Sequence, residues 1–318
     1  MKHVAEPNRP DRDGKEQTAG SERPQAGLCQ VIAPGLRRVL APNPSPMTHW
    51  GTNTFLIGQG EVAVIDPGPA LPLHQAAILA ALHPGERISH IFVTHAHLDH
   101  SPLAASLSRM TGAPILGFGP ALAGRSAVMQ RLAGLADVGG GEGVDIAFSP
   151  DVLLADRTCI TGPGWTLETI HTPGHFAGHL CFAWNDTLFS GDHVMGWASS
   201  LVSPPDGDMA AYMASLARLA ARKWRLACPA HGAPIGDVAA RLAFLAAHRH
   251  DREAAILAAL DSGPTTLPVL TAMIYADTPP ALLPAAARNI FAHLIDLETR
   301  NLVFAHPDLT SAALFSRP

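Results

Sequence analysis

The stretch FVTHAHLDHSPL, residues 92–103, decides how this chain is read. It sets His95, His97, Asp99 and His100 within six positions, directly behind ISHIFVT (88–94), a short β-branched run that fits a buried strand. Alternate residues at a strand end can face one side, so His95 and His97 can share one small volume, while Asp99 and His100 follow as the chain turns toward a helix. Imidazole and carboxylate form a donor set suited to zinc, and also to iron or manganese. The competing reading is a polar turn in which histidines crowd, since most of the chain's 17 histidines must have ordinary structural roles.

The sequence downstream favours the metal reading. HTPGHFAGH (171–179) places His175 after a Pro-Gly turn, LFSGDHV (188–194) places Asp192 at the end of an apolar run, and CPAHG (228–232) places His231 likewise. Three more ligand-type groups therefore stand at strand ends, in the chain order that a two-metal hydrolase needs. Asp66, in VIDPG, fits a carboxylate that orients a ligand imidazole or the turn itself. His193 should face away from the site if its strand continues past Asp192. His171 and His179 read as structural neighbours of His175, and His248, His250 and His293 as core or solvated residues on helices. The loop MGWASSLVSPPDG (195–207) lines the cleft through Trp197 or Ser203, or is an ordinary surface loop.

Around these motifs the pattern is that of a layered α/β protein. VIAPGLRRVL and TNTFLIGQGEVAVIDPG alternate apolar strands with Gly, Pro and Asn turns. LHQAAILAALHP (73–84) has helical spacing ending at Pro84, and SPLAASLSRMTGAP reads as a helix closed by Gly112 before the strand PILGF. A short helix precedes the triple glycine at 139–141, which lacks the GK[ST] ending of a phosphate loop. MAAYMASLARLAARK (209–223) is a strongly amphipathic helix. Beyond residue 240, three helical stretches and a β-like tail suggest a small winged-helix-like domain. The expected division is a disordered leader over 1–28, a catalytic domain over 29–238 and the C-terminal domain over 239–318.

Composition narrows the function classes. The 318 residues, 47% hydrophobic, can bury a large core, yet no run approaches the roughly 20 apolar residues of a membrane span. The polar first 27 residues have no apolar core of a secretory signal. Cys29, Cys159, Cys181 and Cys228 form no CxxC pair and read as reduced thiols of a cytoplasmic protein. A net charge of -5 supplies no general field for nucleic acid, so any RNA contact would be local.

THAHLDH, TPGHFAGH, SGDH and PAHG resemble the motifs of the metallo-β-lactamase superfamily of metallohydrolases, with VAVIDPG (62–68) similar to its early strand and aspartate turn. The resemblance covers roughly residues 30–238 and implies an αββα sandwich with metals in a cleft at one edge of its two sheets. The C-terminal segment resembles the winged-helix extension of the β-lactamase-like protein 2 subgroup. By resemblance, His95, His97 and His175 would hold one metal, Asp99, His100 and His231 the second, and Asp192 would bridge them. Two zinc ions per chain are implied, with iron or manganese as alternatives, and Asp99 would also accept or relay a proton.

The resemblance leaves the substrate open. A small-molecule ester or thioester is the leading expectation, as in glyoxalase-II-like and acyl-carrier-protein thioesterase relatives, and single-stranded RNA is the alternative. NIFAHLIDLETRNLVFA sets Asp296 and Glu298 against Arg300, which weakens RNA. A mononuclear-iron persulfide dioxygenase is a reading of another class, and a nucleic-acid-binding regulator with a structural site is a non-enzymatic one. A cytoplasmic chain would not meet β-lactam antibiotics. The sequence leaves the oligomeric state open.

Overall fold

The computed structural model describes residues 23–135, 138, 140–141 and 143–318. The leader expected over 1–28 falls mostly on residues 1–22, outside the described residues, and part of the glycine-rich turn is likewise outside them.

The first sheet has seven strands in chain order: β1 (Cys29–Ala33), β2 (Leu36–Leu40), β3 (Asn53–Ile57), β4 (Glu61–Ile65), β5 (Arg87–Phe92), β6 (Ile115–Gly117) and β7 (Val152–Leu153). β1 to β4 pair antiparallel, whereas β4 to β7 run parallel. Parallel neighbours need crossovers, which α1 (Pro72–Ala80) and α2 (Leu103–Thr111) supply on either side of β5, with α3 (Ala127–Ala133) between β6 and β7. α1 ends before the expected Pro84. Arg37 donates to the Ala81 carbonyl at 2.8 Å and the Glu86 carboxylate accepts the His83 amide at 2.8 Å, so side chains satisfy the backbone where the helix stops.

The second sheet, in the order β12-β11-β10-β9-β8, comprises β8 (Cys159–Gly162), β9 (Trp165–His171), β10 (Leu180–Trp184), β11 (Thr187–Gly191) and β12 (Leu226–Pro229). β8 to β11 are antiparallel neighbours. α4 (Met209–Ala220) crosses from β11 to the parallel β12. Consequently β9, β11 and β12 point the same way, and their C-terminal ends share one edge.

Side-chain alternation sets the layers. In β4, Val62 and Val64 pack with Ile78 of α1 and Leu107 of α2, while Ala63 and Ile65 face the other sheet. Between the sheets, Phe55 meets Phe189 edge-on at 5.3 Å and Phe92 meets Phe182 at 5.2 Å. The outer face of the second sheet, with Ile170, Ala183 and Leu188, is covered by Tyr212 and Leu216 of α4 and by Leu242 and Leu245 of α5 (Val238–Leu260). The result is an αββα sandwich.

α5 serves two bodies. Its first half closes the sandwich, while Ile256 and Leu260 join a separate core with Leu270 of α6 (Leu267–Ile274) and Ile290, Phe291 and Leu294 of α7 (Leu283–Thr299). β13 (Thr265–Thr266), β14 (Phe304–His306) and β15 (Leu314–Ser316) form a small antiparallel sheet in the order β13-β15-β14, completing a winged-helix domain. All four cysteines are free, with Cys181 and Cys228 buried. Among the described residues no helix is long and apolar enough to cross a membrane.

Candidate metal centre

The topology brings the motif residues to one edge of the sandwich. β5 delivers His95, His97, Asp99 and His100 from the first sheet; the loop after β9 delivers His175, the end of β11 Asp192, and the end of β12 His231. All seven groups expected to hold metal converge here, in sets whose ligand atoms lie within 4.8 Å of one another: His95, His97 and His175; His95, His100 and Asp192; and Asp99, His100 and His231.

In the first half, His97 Nδ1 lies 2.8 Å from His95 Nε2 and 3.2 Å from His175 Nε2. The tautomers follow from the outer contacts. His175 Nδ1 donates to the Leu201 carbonyl at 2.6 Å, and His95 Nδ1 lies 2.9 Å from the Thr94 hydroxyl, which donates to Asp66 Oδ2 at 2.8 Å. Both rings therefore turn an Nε2 lone pair inward. Nδ1 of His97 can donate to only one of them, so converging lone pairs remain that a cation would satisfy.

In the second half, His231 Nε2 lies 3.2 Å from Asp99 Oδ2 and 3.2 Å from Asp192 Oδ1, while His100 Nε2 lies 3.4 Å from Asp99 Oδ2. Nδ1 of His231 donates to the Gly51 carbonyl at 3.1 Å, and Nδ1 of His100 to Asp66 Oδ2 at 3.0 Å. Asp192 spans the halves, with Oδ1 toward His231 and Oδ2 3.7 Å from His175 Nε2. His100 Nε2 and Asp192 Oδ1 are buried and have no hydrogen-bond partner among the described residues. Buried polar atoms without a partner, at the meeting point of a nitrogen and oxygen donor set, fit a site for divalent cations.

Electrostatics separates the two halves. Burial, reinforced by His175, pushes His97 down to about 3, and burial with His100 and His97 holds His95 well below the ordinary imidazole range. Burial also opposes charge on His231, but Asp192 and Asp99 overcome it and raise this imidazole to about 9. His100 is raised too, against burial, by Asp99, Asp192 and Asp66. Burial would raise the carboxyls of Asp99 and Asp192, yet His100 and His231 hold both well below the usual carboxylate range. The second half thus favours positive charge.

Asp66 performs the orienting role expected of it. Its backbone is left-handed at φ 49, and its carboxylate accepts from the Thr94 amide and hydroxyl, both at 2.8 Å, and from His100. One carboxylate thereby steers ligands of both halves. His179 does more than its structural reading implies: its Nε2 accepts the Asp192 amide at 3.2 Å, while its Nδ1 meets Thr172 Oγ1 at 2.9 Å. Because β11 stops at Gly191, His193 is not a continuing strand residue; it is buried against Tyr212, at 4.6 Å between rings. His171 bonds the Ala177 carbonyl at 3.1 Å and stacks on Phe118, away from the convergence point.

At the mouth, Asp99 has a side chain 26% exposed, and Leu98 beside it is 53% exposed. Trp197 packs over Gly232, next to His231, and stacks on His49 at 4.7 Å. Ser203 accepts from Arg288 Nε at 2.8 Å. The orienting carbonyls of Gly51 and Leu201 and the Thr94 hydroxyl were not singled out by sequence; a backbone oxygen carries no residue identity that could signal its role.

The chain matches the Metallo-beta-lactamase superfamily over residues 47–231 and the Beta-lactamase associated winged helix domain over residues 266–311. It is 32% identical to the Beta-lactamase-like protein 2 homolog of Drosophila melanogaster over 270 residues, covering 82% of this chain and 87% of that one. It is 29% identical to the Atrochrysone carboxyl ACP thioesterase dmxR1 of Cryptosporiopsis sp. (strain 8999) over 253 residues, covering 78% of this chain and 69% of that one. A metallo-beta-lactamase family protein of Thermus thermophilus superposes with a TM-score of 0.72 at 25% identity, covering 91% of this chain and 100% of that structure.

Proposed function

The chain belongs to the metallo-beta-lactamase superfamily, and from that membership we propose a binuclear zinc hydrolase acting on a small-molecule ester or thioester. The observation that carries the metal reading is the seven-group convergence with Asp192 facing both halves. A mononuclear iron enzyme would leave Asp99, His100 and His231 without purpose, and their mutual distances of 3.2–3.4 Å speak for a second cation. Divalent cations held by His95, His97, Asp99, His100, His175, Asp192 and His231 would supply Lewis acidity and lower the pKa of bound water.

The chain's own residues do the rest. Asp66, through Thr94 and directly, holds the His95 and His100 rings in their tautomers. Asp99, the ligand-type group most open to the mouth, takes the proton released as water adds to the acyl carbon and returns one to the departing thiolate or alkoxide. In balance, the C–S or C–O bond breaks, water's oxygen joins the acyl carbon, and a carboxylic acid and a thiol or alcohol leave.

The acyl substrate is supported by the surroundings and by the thioesterase-named relative. Exposed apolar side chains stand on the loops that carry or adjoin ligands: Leu98 in the ligand turn, Ile146 two residues beyond the His97–Val144 bridge, and Trp197 over Gly232. The winged-helix domain offers RNA little. Residues 239–318 contain six arginines, Arg241, Arg249, Arg252, Arg288, Arg300 and Arg317, and no lysine, and each arginine is engaged by an oxygen of this chain. Nucleic-acid binding by such modules draws on free cations. The free cysteines fit a reducing compartment, which favours the cytoplasm. A panel that follows thiol release from acyl-CoA and acyl-glutathione alongside cleavage of labelled single-stranded RNA tests the reading. Metal-dependent thiol release with intact RNA is expected, and RNA cleavage without thiol release would overturn it.

A further inference from the structure

The loop that follows Asp192 is gripped from the C-terminal helices. Arg241 of α5 donates to the Met195 carbonyl at 2.6 Å through Nε and to the Ala198 carbonyl at 2.7 Å. Two turns further along α5, Arg249 donates through NH2 to the Ser200 carbonyl and through NH1 to Asn289 Oδ1 of α7 at 3.3 Å. The same Asn289 oxygen accepts the Val202 amide at 3.0 Å. Between these two anchors lies Leu201, whose carbonyl accepts His175 Nδ1, and the Ser200 hydroxyl lies within donating reach of the Asp192 carbonyl.

We propose that the C-terminal domain is a positioning element of the metal centre, with Arg249 and Asn289 holding the Ser200–Val202 backbone so that the Leu201 carbonyl aims the His175 ring. The proposal rests on reading His175 as a metal ligand. Three observations carry it. Arg249 is 1% exposed, and among the described residues its charge is met by the Ser200 and Asn289 oxygens and by the Tyr212 ring at 5.0 Å, with no carboxylate in contact. A guanidinium buried without a counter-charge is a costly way to fill space, and an apolar side chain would fill it without that penalty. Secondly, the segment carrying the orienting carbonyl belongs to no helix or strand, and each of its ends is tied to a different helix of the added domain. Thirdly, the acceptor on the outer nitrogen of a ligand histidine fixes its tautomer and ring direction, so what fixes the acceptor sets the ligand.

The test is metal binding by the full-length chain, using Co2+ and Zn2+ alone as probes. Affinity is measured by competition with a chelator, and the cobalt ligand-field bands report ligand geometry. Arg249→Met and Asn289→Ala are expected to weaken the ion held by His95, His97 and His175 by about 10- to 100-fold and to shift the cobalt bands. Asn289→Asp, which keeps an acceptor oxygen, should restore both. Arg252→Met is the structural control: Arg252 lies on the same helix but, among the described residues, holds the Ile274 carbonyl and the Tyr275 ring, so its loss should lower the melting temperature and leave the cobalt spectrum unchanged. If Arg249→Met does not fold, the Asn289→Ala and Asn289→Asp pair decides the same question. Wild-type affinity and spectrum in Asn289→Ala would overturn the positioning role. His175→Ala separates the two levels: full metal content there would refute the ligand reading itself, whereas loss of an ion there with no effect at Asn289 would refute only the positioning role.

Discussion

Among single residues, Asp66 carries more of the site than its distance from the convergence point suggests. It binds the Thr94 amide, the Thr94 hydroxyl and His100 Nδ1, and through Thr94 it reaches His95. Asp66→Ala should therefore weaken metal binding at both halves, by about 10- to 100-fold, and titration with a chelator checks it. Charge gives a second expectation. His231, raised to about 9, carries a proton in the metal-free protein at pH 7, and His100 is shifted in the same direction, yet ligand nitrogens must be neutral. Filling the second half should therefore release protons, that of His231 among them, measurable by calorimetry in buffers of different ionisation enthalpy. The same shifts set the stability of the metal-free form. A raised folded pKa contributes stability that is fully present below about 6.5 and is lost as pH rises through about 9. The depressed His97 and His193, each at about 3, act on the other side: below about 6.5 the unfolded chain takes protons that the folded chain refuses, and stability falls. The melting temperature of the metal-free protein should thus peak near pH ~6.5.

Among the elements, strand direction is what makes the centre. β9, β11 and β12 are parallel in space although only β11 and β12 are adjacent, so three ligand-bearing ends meet one edge. Gly191 makes the turn at the end of β11. Its φ is +50, and a Cβ there would stand 2.5 Å from His179 Nε2, the atom that holds the Asp192 amide. Gly191→Ala should cost about 1–2 kcal/mol in backbone strain alone and loosen Asp192 as well, lowering both the melting temperature and the metal content. The ligands were legible in the sequence because THAHLDH, His175, Asp192 and His231 each carry their chemistry in the side chain and stand where an apolar run ends. Their supports were less legible. The Gly51 carbonyl meets His231 across 180 residues and the Leu201 carbonyl meets His175 across 26, and neither oxygen has a residue type that marks it. Likewise the helix expected to reach Pro84 stops at Ala80, because Arg37 and Glu86, distant in sequence from its core pattern, take its terminal groups.

For the molecule as a whole, α5 joins two cores and makes the C-terminal domain part of the sandwich's wall. The winged-helix pattern was visible as three helices and a hairpin, but its use was not: a winged helix is often read as a nucleic-acid module, and here its arginines are spent on carbonyls and carboxylates of this chain. Everything proposed for this molecule depends on the reading that seven converging groups would hold two cations and activate water against an acyl bond. Metal content and thiol release, followed together on one preparation stripped by chelator and then titrated with Zn2+, put that dependence to the test. No thiol release is expected from the stripped protein, with full recovery at about two equivalents per chain and loss of both properties in Asp192→Ala. Thiol release by the stripped protein, or full activity in Asp192→Ala, would contradict the two-cation mechanism.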